Sequence, residues 1–107
     1  MKQIIYGIDI AKEVTSLMVR DAIVSCFFEA HCADLDVEEK DKEINKTYCK
    51  EIVKNAFEKV GSNFDNPNKE GIILAMNSLS EFAKKFRDQE FVQKNYNEIM
   101  KLVKKID

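Results

Sequence analysis

The sequence predicts an all-α fold, a four-helix, mainly antiparallel bundle that forms a single domain over residues 1–107. Three observations lead to this prediction. The chain holds only three glycines and one proline, so few loops can interrupt it. Apolar residues recur at intervals of three and four, which is the spacing of an amphipathic helix. The one loop-rich segment, GSNFDNPNKEG, separates the second predicted helix from the third.

The first predicted helix is long and nearly all apolar. From Ile4 to Leu35 only Gly7 interrupts the helical pattern, so we expect one continuous helix of about 32 residues, roughly 48 Å long. Its polar residues fall on one narrow strip, and its apolar arc is about twice as wide as the roughly 100° that a surface helix needs. Such a helix requires packing partners on two sides.

A strand is the alternative for the opening of the chain. The fragment IIYGIDIAK resembles the first strand of RNase H-like transposases and actin-like ATPases, in which β-branched residues surround a Gly-Ile-Asp. That resemblance would make Asp9 a metal ligand. Those folds also require a second strand directly afterwards, whereas residues 13–28 keep helical spacing and contain no hairpin turn. We therefore expect a helix here.

The second predicted helix begins at Asp36 and ends before Gly61. Asp36 is followed three residues later by Glu39, which is a capping-box pattern. A glycine after the last apolar position is the usual left-handed stop of a helix. The apolar positions between them recur at helical spacing: Ile44, Tyr48, Cys49, Ile52, Val53, Ala56, Phe57 and Val60.

Two further helices follow the loop. Asn66 and Pro67 have the pattern of an N-cap and a first helical residue, so the third helix should begin there and run to about Arg87. Asp88 should cap the fourth helix. Short connections between these helices favour antiparallel neighbours.

One flank of the first helix is bulky, and we expect the chain to self-associate through it. This flank carries Tyr6, Ile10, Leu17, Val24, Phe28 and Leu35, of which the first five form the predicted interface. The long helix would project past its shorter partners, and contiguous apolar surface that a chain cannot cover usually marks an interface. We therefore predict a homodimer. The alternatives are a different protein partner, or a monomer whose central helix is covered by the other three.

Two carboxylates, Glu29 and Asp21, fall outside the polar strip of the first helix. A carboxylate on an apolar face must find a basic partner, change its pKa or reach solvent at a groove. The first outcome is a structural ion pair. The last would place Glu29 and Asp21 in a pocket for a small ligand or a divalent cation, which is our alternative function. A carboxylate-dependent hydrolase is less favoured, because no catalytic pair of acids can be placed.

The segment SCFFEAHCADL, residues 25–35, brings Cys26, His31 and Cys32 together in sequence, but helical geometry separates them. His31 lies about 100° from Cys32 and about 140° from Cys26 around a helix, whereas metal ligands on one helix converge from positions three or four apart. This argues against a zinc site and against a Cys–His nucleophile pair. We expect His31 to be solvated or capping, and Cys26, Cys32 and Cys49 to be packed, reduced thiols.

Composition and charge argue against several partners. A net charge of −2 provides no basic field for nucleic acid. The acidic run at residues 34–43 lacks the glycine and the glutamate that an EF-hand loop requires, and it matches a solvated helix start. No apolar stretch is long enough for a membrane span or a signal-peptide core. With no metal or cofactor motif, the sequence predicts a non-catalytic, cytoplasmic interaction or assembly module.

Overall fold

The computed structural model describes residues 4–9 and 12–106, and in this part of the chain it contains four α-helices. α1 spans Ser16–Leu35, α2 spans Lys42–Lys59, α3 spans Lys69–Ala83 and α4 spans Gln89–Val103. A short 3₁₀ turn at Glu39–Asp41 leads into α2. The predicted helical fold is therefore confirmed, and the packing of the helices is compatible with a bundle.

The chain opens with a small β-hairpin, so the prediction of one continuous helix from Ile4 to Leu35 is wrong. β1 (Ile4–Ile5) pairs antiparallel with β2 (Ile8–Asp9), and Tyr6 and Gly7 form the two-residue turn between them. The φ angles of Tyr6 and Gly7 are 50° and 78°. Positive φ at both turn positions gives the backbone twist that suits the flanking strands. Gly7 therefore makes a turn here, where the sequence suggested an interruption of a helix.

α1 begins at Ser16 because Thr15 caps it. The Oγ1 atom of Thr15 accepts a hydrogen bond from the backbone N–H of Met18 at 3.2 Å. This bond satisfies one of the donors that the first turn of a helix leaves free. With 20 residues, α1 is about 30 Å long. The long projecting helix on which we based the predicted dimer is therefore absent.

Asp36 ends α1, whereas the sequence predicted that it starts α2. It adopts the left-handed conformation, with φ 51° and ψ 49°, and its backbone N–H donates to the carbonyl of Cys32. Aspartate tolerates this conformation better than most residues, because its short polar side chain can bond locally. α2 consequently begins only at Lys42, after the 3₁₀ turn.

The stop of α2 is confirmed, and the start of α3 is displaced by two residues. Gly61 has a φ of 78°, and the N–H groups of Gly61 and Ser62 donate to carbonyls in the last turn of α2. The N-cap of α3 is Asn68, whose Oδ1 accepts from the N–H of Gly71 at 2.7 Å. The predicted N-cap, Asn66, lies in the preceding loop.

The start of α4 is also confirmed, since Oδ1 of Asp88 accepts from the N–H of Phe91 at 3.0 Å. α3 ends at Ala83, before the predicted Arg87. The side chain of Gln89 donates to the carbonyl of Ala83 at 3.1 Å, which satisfies an acceptor that the end of the helix leaves free.

The buried side chains form one continuous cluster to which the hairpin and all four helices contribute. α1 contacts the other three helices. Its buried residues cover about 200° of its circumference at 100° per residue. They are Val19, Ala22, Ile23, Val24, Phe27, Ala30 and His31. The other helices of the same chain thus supply much of the packing that α1 requires.

Further contacts hold both ends of α1. Nη1 of Arg20 donates to the carbonyl of Phe64 at 2.9 Å, and the guanidinium carbon lies 4.8 Å from the centre of the Phe64 ring. At the other end, the backbone N–H of Arg87 donates to Oδ1 of Asp34 at 2.8 Å. A bridge between Val14 and Ile106 joins the segment before α1 to the residues after α4.

Candidate functional site

The two carboxylates predicted to bind a ligand, Asp21 and Glu29, lie apart on the surface of α1. Both residues are exposed, and helical geometry places them about 80° apart around the axis and about 12 Å apart along it. Oδ1 of Asp21 lies 2.7 Å from Nη2 of its neighbour Arg20. The two acids therefore share no pocket, and their ligand-binding role stays a prediction.

The residues of the predicted interface lie in different surroundings. Leu17 is exposed and Phe28 is half-buried on the outward side of α1, whereas Val24 is buried in the core. Tyr6 belongs to the hairpin turn, and Ile10 lies outside the described residues. The bulky flank is therefore shorter than predicted, and it does not include Tyr6.

A group of exposed apolar side chains continues from α1 onto α2. Leu17 and Leu35 lie five full turns apart and point the same way, and Phe28 points within about 20° of them. One turn before Leu35, the ring of His31 contacts the ring of Tyr48, with centroids 5.6 Å apart. We call this surface the outer apolar face, and it comprises Leu17, Phe28, Leu35, Ile44 and Tyr48. Apart from Phe28, its members are 45–73% exposed.

His31 is buried, so the prediction that it is solvated or capping is wrong. Its Nε2 lies 3.0 Å from Oδ1 of Asn45, and Nδ2 of Asn45 donates to the carbonyl of Asp41 at 2.9 Å. The imidazole is thus packed between α1 and α2. It lies on the strip of α1 that also carries Arg20 and Asp34, and this strip faces the rest of the chain.

The three cysteines all lie within the described residues and are free thiols. Cys49 is fully buried, which raises its pKa to about 12. Cys26 and Cys32 are only half-buried, which corrects the expectation that all three are packed inside, and desolvation raises the pKa of both thiols. Raised pKa values leave little thiolate, so none of these cysteines has the character of a nucleophile.

A small polar cluster joins the hairpin to α1 and α4. The hydroxyl of Tyr6 donates to Oδ1 of Asn95, and Nδ2 of Asn95 donates to the carbonyl of Phe91 at 2.8 Å. The thiol of Cys26 lies within hydrogen-bonding reach of the same hydroxyl. Burial raises the pKa of Tyr6, and the contact with Cys26 raises it further. The hydroxyl therefore stays protonated and keeps its bond to Asn95.

This cluster was not predicted from the sequence, although the sequence contains a signal for Asn95. Asn95 lies four residues after Phe91 and four before Ile99, so it falls on the apolar side of α4. A polar residue in that position must find a partner when it is buried. Its partner, Tyr6, is 89 residues away and could not be identified without the fold.

An apolar cavity of about 80 Å³ lies between α1, α3 and α4. Aliphatic and aromatic side chains form most of its wall, among them Ile23, Phe27, Met76, Leu79 and Ile99. Cys26 and Asn95 of the polar cluster also line it. Half-buried residues of α3 and α4, such as Ser80 and Tyr96, complete the wall, so the cavity reaches solvent between these two helices.

No metal centre is evident in residues 4–9 and 12–106, where no three His, Cys, Asp or Glu side chains form a group that could hold an ion. Asp9, the metal ligand of the strand alternative, pairs with Ile4 across the hairpin. None of the helices in the described part of the chain is both long and apolar enough to cross a bilayer. Comparison of the chain with protein-family models, with curated proteins and with solved structures finds no match.

Proposed function

We propose that this chain is a non-catalytic helical interaction module that self-associates through the outer apolar face. The observation that carries the proposal is the exposure of four large apolar side chains, Leu17 and Leu35 on one side of α1 and Ile44 and Tyr48 on successive turns of α2. Single exposed apolar residues are common on protein surfaces, but a contiguous group usually marks a contact surface. Two copies related by a two-fold axis would cover each other's face.

The charge beside this face favours a dimer in which the two α1 helices run in opposite directions. Residues 34–43 carry six acidic side chains and two lysines, a net charge of −4. Parallel helices would bring these two acidic segments together, which costs electrostatic free energy. Opposite directions place Leu17 of one copy against Leu35 of the other and keep the acidic segments apart.

Polar groups close to the outer apolar face already have partners within the chain. Nε2 of His31 is bonded to Asn45, and Asp21, which points to the same side of α1, is bonded to Arg20. Covering a polar group that keeps its hydrogen bond costs less than covering an unpaired one. Association therefore buries apolar surface at a small cost in polar desolvation.

Sedimentation velocity tests the proposal over protein concentrations from about 10 µM to about 1 mM, a range that detects even weak dimers. We expect the wild-type protein to dimerise. A double variant, Leu17→Gln with Leu35→Gln, should remain monomeric, because it removes apolar contacts from both ends of the α1 part of the face.

The matched control is Leu74→Gln, since Leu74 is 50% exposed but lies on α3, outside the face. This variant should dimerise like the wild-type protein. A wild-type protein that stays monomeric over the whole range contradicts the proposal, and so does a control variant that dissociates as readily as the double variant. Circular dichroism shows whether each variant is folded.

Two finer features belong to the same proposal. We propose that consecutive helices run mainly antiparallel, and the contact of His31 with Tyr48 supports this because it brings the end of α1 to the start of α2. The contact of Phe27 with Phe82 brings the end of α1 to the end of α3, as expected when these alternate helices of an up-and-down bundle run in the same direction. We also propose a cytoplasmic location for this single domain, which its three free cysteines support.

A further inference from the structure

We infer that the apolar cavity between α1, α3 and α4 is a binding site for one unbranched alkyl chain. This inference is independent of the proposed self-association, because the cavity lies inside a single copy of the chain. Three properties of the cavity lead to it: the chemistry of its wall, its volume and the position of its opening.

Three of the four polar side chains that line the cavity already have hydrogen-bond partners, and the fourth, Tyr96, lies at the opening. Both ends of the Asn95 amide are bonded, to the Tyr6 hydroxyl and to the Phe91 carbonyl. Oγ of Ser80 donates to the carbonyl of Asn77 at 2.8 Å, and the thiol of Cys26 lies against the Tyr6 hydroxyl. A polar group of a ligand would lose its water without gaining a partner from these three residues. The part of a ligand that enters the cavity must therefore be hydrocarbon.

The volume of the cavity suits a narrow alkyl chain better than a ring. The cavity holds about 80 Å³, roughly half of the about 150 Å³ of an apolar cavity that binds benzene. A water molecule occupies about 30 Å³ in the liquid, and a methylene group is of similar size. The cavity therefore holds roughly three methylene groups. An alkyl chain fits this space end-on, whereas a six-membered ring does not.

The opening determines where the polar end of the ligand lies. Ser80 and Ala83 on α3 and Val92 and Tyr96 on α4 line the cavity and are half-buried, so the cavity meets solvent between α3 and α4. An alkyl chain that enters there leaves its polar end in water. The ligand class is therefore a single-chain amphiphile whose terminal carbons occupy the cavity.

The n-alkanols from ethanol to n-hexanol are the probes, and the measurement is an NMR titration of ¹⁵N-labelled protein. We expect saturable shifts of Ile23, Leu79, Asn95 and Ile99, with an affinity that rises about fourfold for each methylene group that enters the cavity. The rise should level off once the cavity is full. Cyclohexanol should give no saturable shifts at these residues.

Ala30 lines the cavity, so Ala30→Leu should fill it and weaken n-hexanol binding at least tenfold. Ser80→Leu obstructs the wall at a half-buried position and provides the same test if Ala30→Leu disturbs the fold. The matched control is Ala33→Leu on the exposed side of α1, which should change the affinity less than twofold. The same affinity is expected in the Leu17→Gln, Leu35→Gln variant.

Three results overturn the inference: no saturable binding of n-hexanol to the wild-type protein, wild-type affinity in both Ala30→Leu and Ser80→Leu, or cyclohexanol binding as tightly as n-hexanol. Each of these can occur whether or not the protein dimerises, so failure of this inference is distinct from failure of the proposed self-association.

Discussion

Three polar side chains of α1 each bond to a different part of the chain: Arg20 to the carbonyl of Phe64, His31 to Asn45 and Asp34 to Arg87. On a helical wheel they form a strip that is typical of a solvent-facing side. In this fold the strip faces inward, and the exposed side chains of Leu17 and Leu35 lie beside it, about 60° farther around the helix from Arg20. The sequence could not show this, because the partners lie 14 to 53 residues away.

Asp34 should contribute to stability in a pH-dependent way. Two hydrogen bonds from Arg87 hold the pKa of Asp34 below its ordinary value of about 3.9. The bond from the backbone N–H has the larger effect, and the bond from the guanidinium has a smaller one. When folding lowers the pKa of a carboxyl group, the ionised group stabilises the fold at pH values above its pKa in the unfolded chain. This contribution is lost as the pH falls through its pKa in the folded protein. Asp34→Asn should therefore lower Tm at pH 7, and the difference from wild type should shrink below about pH 4.

Thermal unfolding followed by circular dichroism from neutral to acid pH measures this effect. A difference in Tm between wild type and Asp34→Asn that stays constant over the whole pH range would contradict the electrostatic origin of the contribution.

Cys49 should resist alkylation in the native protein. Its side chain is fully buried, and its pKa of about 12 leaves about one thiolate in ten thousand at pH 8. We expect iodoacetamide to modify Cys49 only after urea unfolds the chain, as measured by peptide mass spectrometry. Equal rates of modification with and without urea would show that Cys49 is accessible in the native state.

Among the elements, those with local capping chemistry could be predicted from the sequence. Gly61 and Asp88 terminate and start their helices through bonds to residues within five positions, and such signals are visible in sequence. The hairpin was missed because its strands have only two residues each, too few to show alternation. The bond that joins the hairpin to α4, between Tyr6 and Asn95, links residues 89 positions apart.

Gly7→Ala should destabilise the hairpin. Gly7 has a φ of 78°, and an added Cβ would meet no atom within 4 Å, so the cost lies in the backbone and not in a clash. We expect a loss of about 1–2 kcal/mol in the free energy of unfolding, measured by urea denaturation. Gly7→Asn is the matched control and should cost less, because asparagine tolerates the left-handed conformation. Equal costs for the two variants would contradict this explanation.

At the scale of the whole molecule, residues far apart in sequence meet beside α1. Val14 and Ile106 are both buried and form a bridge between the segment that precedes α1 and the one that follows α4. The cavity likewise requires three helices, α1, α3 and α4, to be placed together. The sequence could indicate Leu17 and Phe28 as surface candidates from spacing within one helix, but it could not indicate a cavity between helices.

Ile106→Ala should weaken the whole fold. Removing most of a side chain that is 7% exposed leaves a space beside Val14, and we expect a loss of about 2–4 kcal/mol in the free energy of unfolding. The matched control is Leu74→Ala, which shortens a leucine that is 50% exposed, lies outside the outer apolar face and should cost less than about 0.5 kcal/mol. Urea denaturation of both variants measures the difference, and similar losses would show that Ile106 is not part of the core.

The buried position of His31 has a practical consequence. It is the chain's one histidine, and its ring lies between α1 and α2, against Tyr48 of the outer apolar face. The Cε1 proton of this ring therefore gives a single imidazole resonance in a proton NMR spectrum, without isotope labelling. A shift or broadening of that one signal would report either separation of the two helices or the arrival of a partner on the surface beside it.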